Sequence, residues 1–231
     1  MTLYYLALAA GLIVAAGFLF SRAKGASIKN LFFKMASSLC FLLTAVCAVL
    51  ANTGASAYGG LIIMGGILGL CGDAALDLKF IYPKDNNAYL RSGFIFFAIG
   101  HLFFNAALIW LNQLKWWWVL ICIAAAFVIA VLNALSSKML KIDFGKYRNI
   151  VIMYSTVLAA TAIISVLSAV VTGSVAMIIF AVGAVLFLLS DVVLCFTYFS
   201  TGWDKPVHIF INHLLYYAAQ FLIASTIVFI A

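Results

Sequence analysis

Long apolar segments, separated by short polar breaks, are the feature that most constrains this chain. They cover roughly residues 2–20, 31–51, 57–79, 88–112, 116–138, 147–170, 174–200 and 207–230. A helix that crosses a bilayer needs about 20 apolar residues, whereas a membrane β-strand needs about 10 with alternating polarity. Because these runs are long and do not alternate, the sequence predicts an all-α integral membrane protein. We expect eight transmembrane helices in a single multi-pass domain over residues 1–231.

The composition supports this class. Of the 231 residues, 68% are hydrophobic and 8% are charged, whereas an ordinary soluble domain carries about 25% charged residues. So few charges cannot cover a surface that faces water. The net charge of +7 would otherwise suggest a nucleic-acid partner, but here the basic residues flank apolar spans, so no nucleic-acid partner is expected.

The basic residues predict the orientation, because lysine and arginine beside spans stay on the cytoplasmic side. Twelve lie in the first, third, fifth and seventh breaks, and only Lys115 lies in an even break. The twelve are Arg22, Lys24, Lys29, Lys34, Lys79, Lys84, Arg91, Lys138, Lys141, Lys146, Arg148 and Lys205. Both termini should therefore lie outside, and the basic side should contact anionic membrane lipids. The compact loops favour a bacterial inner membrane.

Three aspartates lie inside predicted spans of a chain that has no glutamate. A charged side chain at the centre of a membrane helix costs about 2.5–3.5 kcal/mol, so it usually faces the bundle interior or a wet cavity and carries function. Asp73 and Asp191 lie on helices that run towards the cytoplasmic side, and we expect them to share a layer there. Asp77 lies one turn below Asp73, where a site role and an ion pair or interfacial solvation are both open.

The eighth span carries polar residues at every fourth position: His208, Asn212, Tyr216 and Gln220. Such a stripe should face inward, either to line a cavity or to bridge neighbouring helices. On the fourth span, His101 and Asn105 have the same spacing and the same two interpretations. Tyr154 on the sixth span is a further candidate.

An offset of 118 residues aligns Asp73 with Asp191 and Gly65 with Gly183. Three leucine pairs also coincide: Leu68 with Leu186, Leu70 with Leu188, and Leu76 with Leu194. The offset would superpose the first four spans on the last four, as a 4+4 parallel pseudo-repeat. The two aspartates would then face each other across a pseudo-two-fold axis, a pattern that transporters also use.

Four stretches of the chain resemble the YhhN family, the lysoplasmalogenase-like membrane proteins that include animal transmembrane protein 86. They are Leu70-Cys71-Gly72-Asp73, Gly100-His101-Leu102-Phe103, Leu188-Leu189-Ser190-Asp191 and Tyr216-Tyr217-Ala218-Ala219-Gln220. Their order and spacing fit from about residue 30 onward. The chain has Phe104, Lys34-Met35 and Leu215 where the family often has tyrosine, Lys-Pro and threonine. These departures bear on the substrate more than on the fold.

The resemblance implies hydrolysis of the vinyl ether bond of a lysoplasmalogen, a single-chain phospholipid, to a fatty aldehyde and glycerophosphoethanolamine or glycerophosphocholine. A vinyl ether is hydrolysed by protonation of its β-carbon, which leaves an oxocarbenium ion, as in the glycosidases. One carboxylic acid and one carboxylate suit this chemistry, and no cofactor or metal is expected. Asp73 and Asp191 would be the catalytic pair, with the assignment between them open, in a site that opens to the cytoplasmic half. The expected substrate-binding residues are Asp77, His101, Asn105, Tyr154, Ser190, Asn212, Tyr216, Tyr217 and Gln220.

Two other functions use the same residues. A zinc-dependent membrane amidohydrolase would use Ser190, Asp191 and the histidines, although His208 and His213 are five residues apart and so lie on different helix faces. A transporter or proton-coupled carrier would explain intramembrane aspartates and a repeat. A structural or lipid-scaffolding role is the remaining alternative.

Overall fold

A computed structural model of the chain describes residues 1–22, 25 and 27–230. Within these residues it has eight α-helices and no strand: α1 (Thr2–Arg22), α2 (Ile28–Ala51), α3 (Ser56–Ile81), α4 (Asn86–Leu111), α5 (Trp116–Leu135), α6 (Arg148–Thr172), α7 (Val175–Phe199) and α8 (Pro206–Ser225). All eight are long and apolar enough to cross a membrane. The prediction of an all-α multi-pass membrane protein is confirmed. Lys24, one of the predicted flanking cations, lies outside the described residues.

The helix ends differ from the predicted bounds by up to five residues. Pro206, expected in a break, is the first residue of α8, where its fixed φ and missing N–H suit the start of a helix. The helix α5 ends at Leu135 and α8 at Ser225, and a short 3-10 turn follows each. At the end of α8, the hydroxyls of Ser225 and Thr226 donate to carbonyl groups of the preceding turn, so local side-chain hydrogen bonds compete with further helix.

Hydrogen bonds between connecting segments show that successive helices run in opposite directions. At one end, the Tyr147 hydroxyl donates to Asn87 and the Asp143 N–H donates to the Phe199 carbonyl at 2.8 Å. At the other end, Asn52 donates to the carbonyls of Ile227 and Ile230 at 3.0 and 2.8 Å. We call the first end the basic end, because every described lysine and arginine except Lys115 lies in or near its connections.

Most of the helix pairings follow the 4+4 pattern, although those of α8 with α1 and with α3 have no counterpart of similar extent among the described residues. In the first half α1 packs on α2, α2 on α3 and α3 on α4; in the second half α5 packs on α6, α6 on α7 and α7 on α8. Between the halves, α4 packs on α6, and α8 packs on α2 in the corresponding place. Exchange of α1–α4 for α5–α8 therefore preserves the pairings within each half and these two between the halves.

Two glycines show the same correspondence at closer range. A Cβ atom at Gly65 would lie 2.9 Å from the Gly100 carbonyl oxygen on α4, and one at Gly183 would lie 3.2 Å from the Ala219 carbonyl oxygen on α8. In both halves a glycine lets the third helix approach the backbone of the fourth. Asp73 and Asp191 each follow their glycine by two helical turns, so they occupy corresponding places.

Two buried apolar clusters fill the bundle. One lies towards the end opposite the basic end and includes Leu108 and Phe180. The other lies in the basic half and includes Phe97, Phe187 and Tyr216. The second cluster surrounds the intramembrane polar residues, so apolar packing sets the position of those residues.

Candidate functional site

A partly open cavity of about 270 Å³ lies in the basic half of the bundle. Asp73 on α3 and Asp191 on α7 both line it, as the sequence predicted for two carboxylates in one layer. Its polar lining also includes Arg22, Lys34, Asp77, Ser190, Asn212 and Tyr216. We call this space the polar cavity.

Asp73 is held by side chains from two other helices. One of its carboxylate oxygens, Oδ2, accepts hydrogen bonds from the Ser38 hydroxyl at 2.6 Å and the Tyr216 hydroxyl at 2.7 Å. The other, Oδ1, lies 3.2 Å from Lys34 Nζ. Gln220 Nε2 donates to the Tyr216 hydroxyl oxygen at 3.2 Å. A cation and two hydroxyl donors therefore stabilise negative charge at Asp73 and fix its orientation.

Asp191 has different surroundings. Its Oδ2 accepts a hydrogen bond from the Tyr154 hydroxyl on α6, and the Ser190 hydroxyl lies 3.5 Å from Oδ1. Asn212 Nδ2 donates to the Ser190 carbonyl at 2.7 Å, which ties α8 to α7 beside the carboxylate. Among the described residues, no lysine or arginine nitrogen lies within 4.0 Å of Asp191, in contrast to Asp73.

Three of the basic residues predicted to flank the spans are also buried in the bundle. Arg22, Lys34 and Lys79 are 6%, 3% and 7% exposed. Lys34 Nζ lies 3.3 Å and Arg22 Nη2 lies 3.4 Å from Asp77 Oδ1, and the Lys79 ammonium lies over the Tyr198 ring. Arg22 and Lys79 still flank their spans, in the last turns of α1 and α3. Lys34 and Arg22 supply the positive charge that buried carboxylates need. Asp77 is thus ion-paired and also lines the polar cavity.

A second cavity, of about 300 Å³, lies between α5, α6 and α7. Its lining is almost wholly apolar, and we call it the apolar cavity. Asp191, Leu194 and Tyr198 line both cavities. The Asp191 carboxylate therefore lies at the boundary between the polar cavity and the apolar cavity.

Some of the expected binding residues lie elsewhere. His101 and Asn105 on α4 are buried but line neither cavity. The His101 ring packs 4.5 Å from the Phe187 ring, and within the described part of the chain neither of its ring nitrogens has a hydrogen-bond partner. His208, expected to begin the polar stripe of α8, stacks on Trp203 at 4.5 Å. The inward part of the stripe is therefore Asn212, Tyr216 and Gln220.

Two residues of α2 contact Asp73, and the sequence analysis predicted neither contact. Lys34 was assigned to a break, and Ser38 was not considered. The signal was present, because Lys34 and Ser38 are four residues apart in an apolar run and so share one helix face. The Tyr217 hydroxyl, a predicted site residue, donates to the Lys34 carbonyl at 3.2 Å and lies 3.3 Å from the Ser38 hydroxyl. It supports this face of α2 from α8.

The arrangement of donors does not fit the zinc-dependent alternative. His101 packs against Phe187, His208 stacks on Trp203, and His213 lines the polar cavity. Across residues 1–22, 25 and 27–230, no group of three or more His, Cys, Asp and Glu side chains could hold a metal ion.

Comparison with known proteins identifies the family. The YhhN family model matches residues 29–227, which include α2 except its first residue, all of α3 to α8, and both cavity aspartates. Searches of curated proteins and of solved structures find no match. The family match covers most of the 231 residues, so the chain belongs to the YhhN family.

Proposed function

We propose that the protein is a membrane hydrolase that cleaves the vinyl ether bond of a lysoplasmalogen or a related single-chain lysolipid. The products are a fatty aldehyde and glycerophosphoethanolamine or glycerophosphocholine. The observation that carries the proposal is that Asp73 and Asp191, from the two halves of the chain, line one cavity. Membership of the YhhN family makes this activity plausible.

The different surroundings of the two aspartates suggest different roles. Asp73 accepts two hydroxyl hydrogen bonds and faces Lys34, so it suits the ionised carboxylate that activates water and stabilises a cation. Asp191 bonds to hydroxyl groups and borders the apolar cavity, so it suits the carboxylic acid that donates a proton. Paired carboxyl groups with unequal surroundings commonly divide acid and base work in this way.

The reaction balances with these two groups and one water molecule. Asp191 donates its proton to the β-carbon of the vinyl ether, and the π electrons form the new C–H bond, which leaves an oxocarbenium ion. Water attacks the α-carbon while Asp73 accepts a proton from it, giving a hemiacetal. Asp191 then accepts the hemiacetal hydroxyl proton, Asp73 protonates the glycerol oxygen, and the carbon–oxygen bond breaks to release aldehyde. Both aspartates return to their initial states.

The surroundings of the aspartates suit a phospholipid with one chain. Arg22, Lys34 and Lys79 bring three cations to the polar cavity, where they can attract a phosphate group. We place the basic end in the cytoplasm, with both termini outside, because basic flanks stay on the cytoplasmic side. The site would then open to the cytoplasmic half of the membrane, which we propose is a bacterial inner membrane.

Aldehyde release in deuterium oxide tests both the activity and its chemistry. Purified protein with a 1-alkenyl lysophospholipid should release an aldehyde that carries one deuterium at its second carbon, because the transferred proton comes from an exchangeable carboxylic acid. Asp73→Asn and Asp191→Asn should each abolish release. Asp85→Asn, the same change at an exposed carboxylate, is the matched control. Release of undeuterated aldehyde, or full activity in either cavity variant, would contradict the proposal.

The 4+4 packing also suits a transporter, which is the second candidate. Flux of solutes or protons in proteoliposomes, measured beside aldehyde release, separates the two functions. Flux that depends on Asp73 and Asp191, without aldehyde, would favour the transporter.

A further inference from the structure

We propose that the apolar cavity binds the hydrocarbon chain of the substrate and that α6 limits the chain length. This inference rests on the proposed function, because it assigns the part of the substrate next to the cleaved bond. The hydrocarbon chain of the substrate would extend from Asp191 along α6, away from the basic end and towards the middle of the bundle.

The chemistry of the bond requires a chain site next to the proton donor. In a vinyl ether the carbon that accepts the proton is the second carbon of the hydrocarbon chain. The rest of the chain therefore starts one bond from the carbon that receives the proton. Asp191 lines the apolar cavity as well as the polar cavity, so a chain that begins at Asp191 can continue into the apolar cavity while the phosphate stays with the cations.

The lining of the apolar cavity suits a flexible alkyl chain. Apart from the hydroxyls and carboxylate near Asp191, Asn133 is its main polar side chain, and the remaining lining is hydrocarbon and aromatic. Ile129 and Asn133 on α5 line the cavity and are exposed on the outside of the bundle, so a chain can enter from the lipid between α5 and its neighbours.

One face of α6 provides a row of positions along the cavity. Ser155, Ala159 and Ile163 are spaced by four residues and all line it. Because α6 begins at Arg148 at the basic end, each step along the row lies about 6 Å further from that end. A bulky side chain in place of Ala159 should therefore exclude shorter hydrocarbon chains than one in place of Ile163.

The test compares 1-alkenyl lysophospholipids of graded chain length with wild-type protein, Ala159→Phe and Ile163→Trp. We expect Ile163→Trp to lower kcat/KM for the longest chain by about tenfold or more, with little effect on the shortest chain. Ala159→Phe should move this limit to a chain shorter by about 6 Å. Val166→Trp, on an exposed part of α6 that does not line the cavity, is the control and should leave the chain-length profile unchanged.

A binding measurement separates this inference from the proposed function. The probe is a saturated, non-cleavable alkyl lysophospholipid with a photoreactive group in its chain, and peptide mass spectrometry locates its attachment. Labelling of α5, α6 or α7 at the cavity supports the inference, even where no aldehyde is released and the proposed function fails. Labelling confined to other helices, or chain-length profiles that do not change in folded Ala159→Phe and Ile163→Trp, would overturn the inference even where aldehyde is released.

Discussion

The Tyr216 hydroxyl on α8 donates a 2.7 Å hydrogen bond to Asp73 on α3. The two residues are 143 positions apart, so this contact joins the last helix to the first half of the bundle inside the polar cavity. It orients the carboxylate to which we assign the activation of water.

Replacement of Tyr216 by phenylalanine should lower kcat by more than the accompanying loss of folding stability explains. A hydrogen bond to a charged group contributes about 1.5–3 kcal/mol, which corresponds to a loss of roughly 10- to 150-fold in rate if the bond is needed in the transition state. Steady-state aldehyde release measures the effect. Tyr58→Phe is the matched control, because the buried Tyr58 hydroxyl bonds Thr226 at 2.8 Å, away from both cavities. Equal activity losses in the two variants would contradict the role of Tyr216.

Lys34→Met should destabilise the protein strongly, because Asp73 then has no cation beside it. Loss of one partner of a buried ion pair costs about 3–5 kcal/mol, and thermal or denaturant unfolding in detergent measures this. The double variant Lys34→Met/Asp73→Asn removes both charges and should recover much of the lost stability. Lys138→Met, at an exposed site, should have little effect. A double variant no more stable than Lys34→Met would show that Asp73 is not the partner that matters.

Gly100→Ala should weaken the packing of α3 on α4. A Cβ atom at Gly100 would lie 2.9 Å from the Gly65 carbonyl oxygen, so the two backbones must separate, at a cost of about 1–3 kcal/mol for an overpacked core. Because α3 carries Asp73, aldehyde release should fall as well. Gly60→Ala on α3 meets nothing within 4 Å and should leave both stability and activity near the wild-type values. Larger losses of stability and activity in Gly60→Ala than in Gly100→Ala would contradict the close approach of the α3 and α4 backbones.

Hydropathy alone was enough to predict all eight helices, because the need for about 20 apolar residues per span leaves few alternatives. The inward direction of Asn212, Tyr216 and Gln220 was also predictable, since a polar stripe facing lipid is costly. The partners of these residues were not predictable, because periodicity gives the face of one helix but not the helix that packs on it. For this reason Lys34 was interpreted as a flanking charge, and His101 and Asn105 were expected in the site although they lie outside both cavities.

Ser38 and Ser37 give a sharp test of the face of α2 that sequence analysis missed. Both are fully buried neighbours, but the Ser38 hydroxyl donates to Asp73 at 2.6 Å, whereas the Ser37 hydroxyl donates to the Phe33 carbonyl of its own helix. Ser38→Ala should lower the rate of aldehyde release about tenfold, since Asp73 loses one of its two hydroxyl donors. Ser37→Ala should leave the rate within roughly twofold, because a bond to its own helix has little net value. Both variants remove one buried hydroxyl from the same turn, so a common loss of stability would lower both rates alike, and only a selective loss in Ser38→Ala supports the assigned role of Asp73.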